Sequence, residues 1–229
     1  MRLRIGTWVT NSLFWLFLLG ASTSVTANTS AESLERLSNI QNLAERRYGN
    51  LAADSVSRWR HLLDASYNLP EREKLHRINK FFNLHVYYDE DKKIWQKADY
   101  WATPLETLAR ARGDCEDFTI AKYISLRLLD IPANKLKLTY VNLYPVIGDN
   151  SDKQAHMVLA YYPDEQSDPL ILDNLQGKIL PASKRPELKP VFSFNDSTMW
   201  VDGQQSDVKP QLRLSRWRDV LNRMHDDGL

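Results

Sequence analysis

The 229-residue chain has one cysteine, Cys115, and it stands inside the run Gly113-Asp114-Cys115-Glu116-Asp117-Phe118. A thiol attacks as its thiolate, and a cysteine in the first turn of a helix has its ionisation favoured by the helix dipole. Attack on an amide also needs an imidazole to take and return the proton, and a third group to hold the imidazole tautomer. Of the five histidines, His61, His76 and His85 fall in a helical first half and His225 in the tail. His156 alone falls in an apolar, strand-like run after the cysteine helix, and Asp173 closes the next such run. Strands joined by a hairpin bring their ends together, so this carboxylate is within reach of that imidazole. Taken singly, His156 also reads as a satisfied core histidine and Asp173 as a turn residue before Asn174. Their order, helix-Cys then strand-His then strand-Asp, points to a cysteine hydrolase. The backbone N–H of Cys115 is the natural oxyanion donor. The indole of Trp101 is a second, although a packing role suits that tryptophan better.

Three carboxylates crowd the thiol, and negative charge beside it opposes its ionisation. Asp114 suits the N-cap of the helix, and Asp117, three residues on, suits the reciprocal capping position. Glu116 has no such role. Alternatively, Asp114 and Glu116 hold a divalent cation, joined by Asp117 and by strand carbonyls around Tyr140 to Asn142. Oxygen-only ligands of this kind favour Ca²⁺. The sequence leaves both readings standing.

The elements around these residues follow from periodicity. A helix over Ala31 to Arg47 carries Leu34, Leu37, Ile40 and Leu43 on one face, and Tyr48-Gly49-Asn50 stops it. A second runs from about Ala52 to Tyr67, and a third starts near Pro70 with Leu75, Ile78, Phe81 and Phe82 inward. His85 to Tyr88 reads as a short strand and Asp89 to Lys93 as a solvated turn that lacks the glycine and spacing of a calcium loop. Pro104 opens a brief helix over Leu105 to Arg112 that Gly113 ends. The helix from Cys115 to about Leu129 has a strong apolar face, Ile120, Ala121, Ile124, Leu128 and Leu129, and is expected to be central and buried. Past Pro132 the period becomes two. Strands are expected over Lys135–Leu143, Ala155–Tyr162, Pro169–Asp173, Lys178–Leu180, Pro190–Phe194 and Met199–Val201, and Asp207–Leu229 reads as a strand-like start followed by an amphipathic helix.

Met1-Arg2-Leu3-Arg4, the apolar core Leu13 to Leu19 and the small residues of Val25-Thr26-Ala27 have the form of an export signal. Residues 1–27 are therefore read as a signal peptide, with an uncleaved anchor as the alternative, and 28–229 as a single domain with no stable membrane insertion after cleavage. Hydrophobic residues make up 43% and charged residues 26%, nearly balanced at a net charge of +1, so nothing suggests a nucleic-acid partner. One cysteine excludes an internal disulfide or a multi-cysteine zinc site.

The runs Tyr100 to Thr107, Gly113 to Tyr123, His156 to Leu159, Leu172 to Leu175 and Pro181 to Arg185 resemble the bacterial transglutaminase-like cysteine proteinases of the LapG type. The resemblance implies an α+β, papain-like or transglutaminase-like fold. In it, N-terminal helices and a central cysteine-bearing helix pack on an antiparallel sheet. It further implies a calcium-dependent periplasmic endopeptidase with Cys115 as nucleophile, His156 as base and Asp173 as its orienting partner, and calcium at Asp114 and Glu116. Its substrate would be the N-terminal region of a large repeat-containing surface adhesin, whose release disperses a biofilm, and a LapD-type inner-membrane receptor for cyclic di-GMP would restrain it. Relatives on this fold do other amide chemistry or only bind. A transglutaminase-like acyltransferase, a peptidoglycan amidase and a non-catalytic calcium-dependent binding module thus stand as alternatives.

Overall fold

A computed structural model describes residues 38–144 and 153–229. The signal segment, the first part of the helix expected from Ala31, and the polar loop around Gly148 to Asp152 lie outside the described residues. The helical half begins with α1 over residues 38–48, continues with α2 (Asn50–Ser66) and α3 (Glu71–His85), and reaches the two-residue strand β1 (Tyr87–Tyr88). Gly49 separates the first two helices at a positive φ of 87°, a conformation glycine adopts without a Cβ penalty. Two short helices follow, α4 (Asp91–Ile94) and α5 (Pro104–Arg110). The start of α5 is fixed by a capping box: Thr103 Oγ1 accepts from Glu106 N–H at 3.2 Å, and Glu106 returns a bond to Thr103 N–H at 2.8 Å.

The sequence places the end of α5 at Arg112, and the chain ends it at Arg110. Ala111 turns left-handed at φ 50°, and Arg112–Gly113 leave the helix as β2, paired in parallel with β1. Gly113 is required for a different reason from helix stopping. A Cβ there would lie 2.7 Å from Asp117 Cβ and 2.8 Å from its Oδ2. Gly113→Ala is therefore expected to destabilise the fold by about 1–3 kcal/mol through overpacking, read as a lowered thermal midpoint; an unchanged midpoint would contradict this packing.

The central helix α6 (Cys115–Leu128) forms as its periodicity requires. Phe118, Ile120, Ala121, Tyr123 and Leu126 are buried, and each large apolar side chain contributes about 1.5–3 kcal/mol on burial. Trp59 of α2 donates its indole N–H to Ser125 Oγ at 2.8 Å, tying α2 to α6 inside the core.

After α6 come the strands β3 (Leu136–Leu143), β4 (Gln154–Tyr161), β5 (Leu170–Leu172), β6 (Leu180–Pro181), β7 (Leu188–Phe194), β8 (Met199–Val201) and β9 (Gln204–Ser206). They form one antiparallel sheet in the order β6-β5-β4-β3-β7-β8-β9. Alternation divides its faces. Leu136, Leu138, Met157, Leu159 and Tyr161 join the main core with α6 and α3, while Val141, Val158, Ala160, Ile171 and Leu188 form a smaller apolar cluster on the other face. The tail corrects the expected strand-like start at Asp207: β9 lies earlier, and the tail folds as α7 (Pro210–Arg213) and α8 (Ser215–Asp227). Pro210 sits at the first helical position, which suits a helix start rather than a strand. From α8, Arg223 Nη2 donates to Trp101 O at 2.5 Å, and Asp227 accepts from Arg47 at 2.7 Å and from Thr103 Oγ1 at 2.6 Å. Among the described residues no helix is long and apolar enough to cross a membrane.

Candidate active site

Cys115 is the first residue of α6. Its placement beside the sheet depends on a strand that stops early. The β4–β5 ladder ends at the pair Leu159–Leu172, which leaves the backbone of Met157 beyond it. α6 takes that place. Thr119, one turn along the helix, donates its hydroxyl to Met157 O at 3.1 Å, and the Met157 N–H lies where it favours the Cys115 thiolate. The nucleophile is thereby held against the residue that follows His156.

His156 Nε2 lies 2.9 Å from Asp173 Oδ1, and both side chains are buried. A neutral imidazole that donates from Nε2 keeps its lone pair on Nδ1, the nitrogen able to receive a thiol proton. Asp173 follows β5 directly and is held from every side. Leu175 N–H donates to Oδ1 at 3.0 Å, Arg185 Nη2 to Oδ2 at 2.7 Å, and Asn83 of α3 to its main-chain oxygen at 2.8 Å. Burial alone would raise this carboxyl. The hydrogen bond and charge of His156, then Arg185 and the Leu175 N–H, outweigh it and hold it at about 2. The gap from about 3.9 in an unfolded chain amounts to about 2–3 kcal/mol of stability. Because the folded value is the lower one, this contribution is fully present above the unfolded value and is lost as pH falls through about 2. The stability advantage of the wild type over Asp173→Asn in urea unfolding should shrink between about pH 5 and about pH 2; a difference constant with pH would refute it.

The acids behave differently from a simple cap. Asp117 is fully committed inside the protein: Oδ1 accepts from Ala102 N–H at 2.7 Å and Oδ2 from Asp114 N–H at 3.3 Å. Its reciprocal capping role is thus realised, and its oxygens also lie with those of Asp91 and Asp114 in one group within 4.8 Å. Asp114, Cys115 and Glu116 form a second such group. The carbonyls of Tyr140 to Asn142 belong to a strand paired on both sides, with β4 and with β7. Asp91 is the residue that sequence reasoning missed. It sits in the run read as a solvated turn, yet it opens α4 and is buried, with Oδ2 accepting from Tyr100 N–H at 2.5 Å. Oδ1 of Asp91 and Oδ1 of Asp114 are both buried without a hydrogen-bond donor. Two orphaned acceptor oxygens in one acidic group fit an oxygen-preferring cation.

Without a cation the electrostatics are adverse. Burial, then Glu116, Asp117 and Asp91, pushes the Asp114 carboxyl up to about 10. Burial, then the neighbouring Glu116 carboxylate at 2.7 Å from the sulfur and Asp114, pushes the Cys115 thiol up as well. Lys122, two turns along α6, is also buried. It has no hydrogen-bond partner at Nζ, and burial lowers it to about 7 against the opposing pull of Asp173. Trp101 is buried and stacked on Phe194 at 5.9 Å between ring centroids, in keeping with a packing role.

A family model for the bacterial transglutaminase-like cysteine proteinases matches residues 54–207, a span containing Cys115, His156, Asp173 and all the acids named above. The chain belongs to this family. It is a cysteine proteinase. Among solved structures, Legionella pneumophila LapG treated with EGTA is 37% identical, with a TM-score of 0.72 over 82% of this chain and 97% of that one. Calcium-bound LapG from the same organism is also 37% identical, with a TM-score of 0.70 over 82% of this chain and 98% of that one. No curated protein sequence matches the chain. The expected fold class, with its cysteine helix on an antiparallel sheet, is thus shown by the LapG-like architecture.

Proposed function

We propose that this proteinase is a calcium-dependent periplasmic endopeptidase that cleaves the N-terminal region of a large surface adhesin and so promotes biofilm dispersal. A LapD-type cyclic di-GMP receptor would be its inhibitor. The observation that carries the reading is the adjacency of the nucleophile to an acidic group with two orphaned buried oxygens, in a chain 37% identical to a protein solved with calcium. The signal-like first 27 residues support export.

The residues divide the work as follows. His156 Nδ1 takes the Cys115 proton, and Asp173 steadies the resulting imidazolium through Nε2. The thiolate attacks the scissile carbonyl, and the Cys115 N–H at the start of α6 donates to the oxygen as it becomes negative. His156 then gives the proton to the leaving amine, which leaves a thioester on Cys115. Water, activated by the same imidazole, hydrolyses it and restores the thiol. Asp91, Asp114 and Glu116 would hold the calcium ion, which when bound supplies positive charge beside a sulfur that these acids otherwise keep protonated.

An adhesin N-terminal fragment incubated with the enzyme and calcium should yield two defined products. Cys115→Ala should yield none, a loss of about 10⁴-fold or more, with circular dichroism unchanged. Crosslinked ladders would point to acyl transfer instead, and retained cleavage in the alanine variant would overturn the assignment of the nucleophile.

A further inference from the structure

Arg185 is nearly as buried as the triad, with 6% of its side chain exposed, and nothing in the mechanism above uses it. It follows the 3₁₀ turn Ala182–Lys184 after β6, and its planar fork spans two carboxylates. Nε donates to Glu187 Oε1 at 2.5 Å and Nη2 to Asp173 Oδ2 at 2.7 Å. Nη1 is buried without a partner. The order of contacts is Glu187–Arg185–Asp173–His156, so the guanidinium grips the one oxygen of Asp173 that the imidazole does not.

Arg185 also lines a cavity of about 340 Å³ on the sheet face away from α6, beside Val158, Ala160, Ile171 and Leu188. A guanidinium-sized solute in that cavity would stand next to the space that an alanine at this position leaves beside Asp173.

We propose that Arg185 is a positioning residue for the proteinase reaction: it fixes the rotation of the Asp173 carboxylate, and through it the tautomer and orientation of His156. A carboxylate bound only by His156 and the Leu175 N–H would be anchored through Oδ1 alone, free to swing about that oxygen. The Arg185 fork adds the second point and sets the plane. Glu187 completes the design. It shares the guanidinium charge, so Asp173 keeps its negative charge toward the imidazolium instead of spending it on an exclusive pair with arginine. Two other basic side chains act on Asp173, His156 from β4 and Lys122 from α6. Neither offers a planar fork, so neither can replace the geometric constraint.

The test compares Arg185→Ala and Arg185→Lys with the wild type, all as full chains with calcium present. Arg185→Ala is expected to lose about 10- to 100-fold in kcat, the range typical for an outer-shell partner, with KM nearly unchanged. Methylguanidinium entering through the cavity should restore part of that loss, whereas methylammonium, which has no fork, should not. In NMR spectra the downfield proton of a carboxylate-bound His156 Nε2–H should weaken in the variant and return with methylguanidinium. That readout needs no adhesin, so it stands even where the proposed substrate fails with wild type. Should Arg185→Ala not fold, Arg185→Lys carries the test, because it retains the charge but not the fork. A folded variant with wild-type kcat and an unchanged His156 signal would overturn the proposal, as would a loss confined to thermal stability.

Discussion

Asp173→Asn is expected to lower kcat by about 10⁴-fold while the protein still folds. The argument turns on which atoms face the asparagine. Arg185 donates to one oxygen of the present carboxylate, and His156 Nε2 and Leu175 N–H share the other. An asparagine has one acceptor oxygen for these three donors. If that oxygen stays on Arg185, the amide NH₂ meets His156 and forces Nε2 to become the acceptor. The ring proton then moves to Nδ1, and the nitrogen meant to receive the Cys115 proton already holds one. If the amide flips, its NH₂ meets the guanidinium, and the side chain is driven out of place. Either outcome removes the base. Steady-state kinetics on an adhesin fragment measure the effect, with far-UV circular dichroism as the control for folding. A loss of less than about tenfold would mean that Asp173 does not set the tautomer.

Glu116→Ala removes no member of the triad, yet it is expected to reduce cleavage by more than the roughly 10- to 100-fold that loss of an outer-shell metal partner costs. Glu116 shares one tight group with Asp114 and Cys115, while Asp117 has both oxygens engaged by backbone N–H groups. Glu116 instead accepts from the Cys115 thiol at 2.7 Å, and its removal leaves Asp91 and Asp114 to hold a cation alone. Calorimetric titration with calcium should show weakened binding, and a chelator should inhibit the wild type but leave the variant's residual rate unchanged. Full activity in Glu116→Ala would return the acids to a capping role.

Much of this site is legible in the sequence. Cysteine, histidine and aspartate are rare enough in their settings, and the periods of α6, β3 and β4 strong enough, that the three residues could be put on the right elements. Asp91 and Arg185 could not be found the same way. Asp91 stands in Asp-Glu-Asp-Lys-Lys, a composition that looks like any solvated turn, and only the approach of α4 to the start of α6 buries it. Arg185 lies in a charged stretch whose fork matters because β6 ends beside β5. Short elements escaped for a related reason. β2 and β9 have two and three residues, too few for a period, and they are strands only because a partner lies beside them. At Gly113 a helix stop and a close approach leave the same letter, so its packing against Asp117 is not legible in the sequence.

The seat of the cysteine on Met157 has a consequence for the life of the chain before it folds. Thr119 and Met157 are 38 positions apart, and His156 and Asp173 a further 17. Contacts across such separations form late, after the local helices, because the intervening loops must first be closed. A newly made or unfolded polypeptide thus carries a thiol with no base beside it and is without proteolytic activity. Its capacity to cut requires the docking of α6 on β4, so an unfolded copy cannot cleave its own chain or a neighbour.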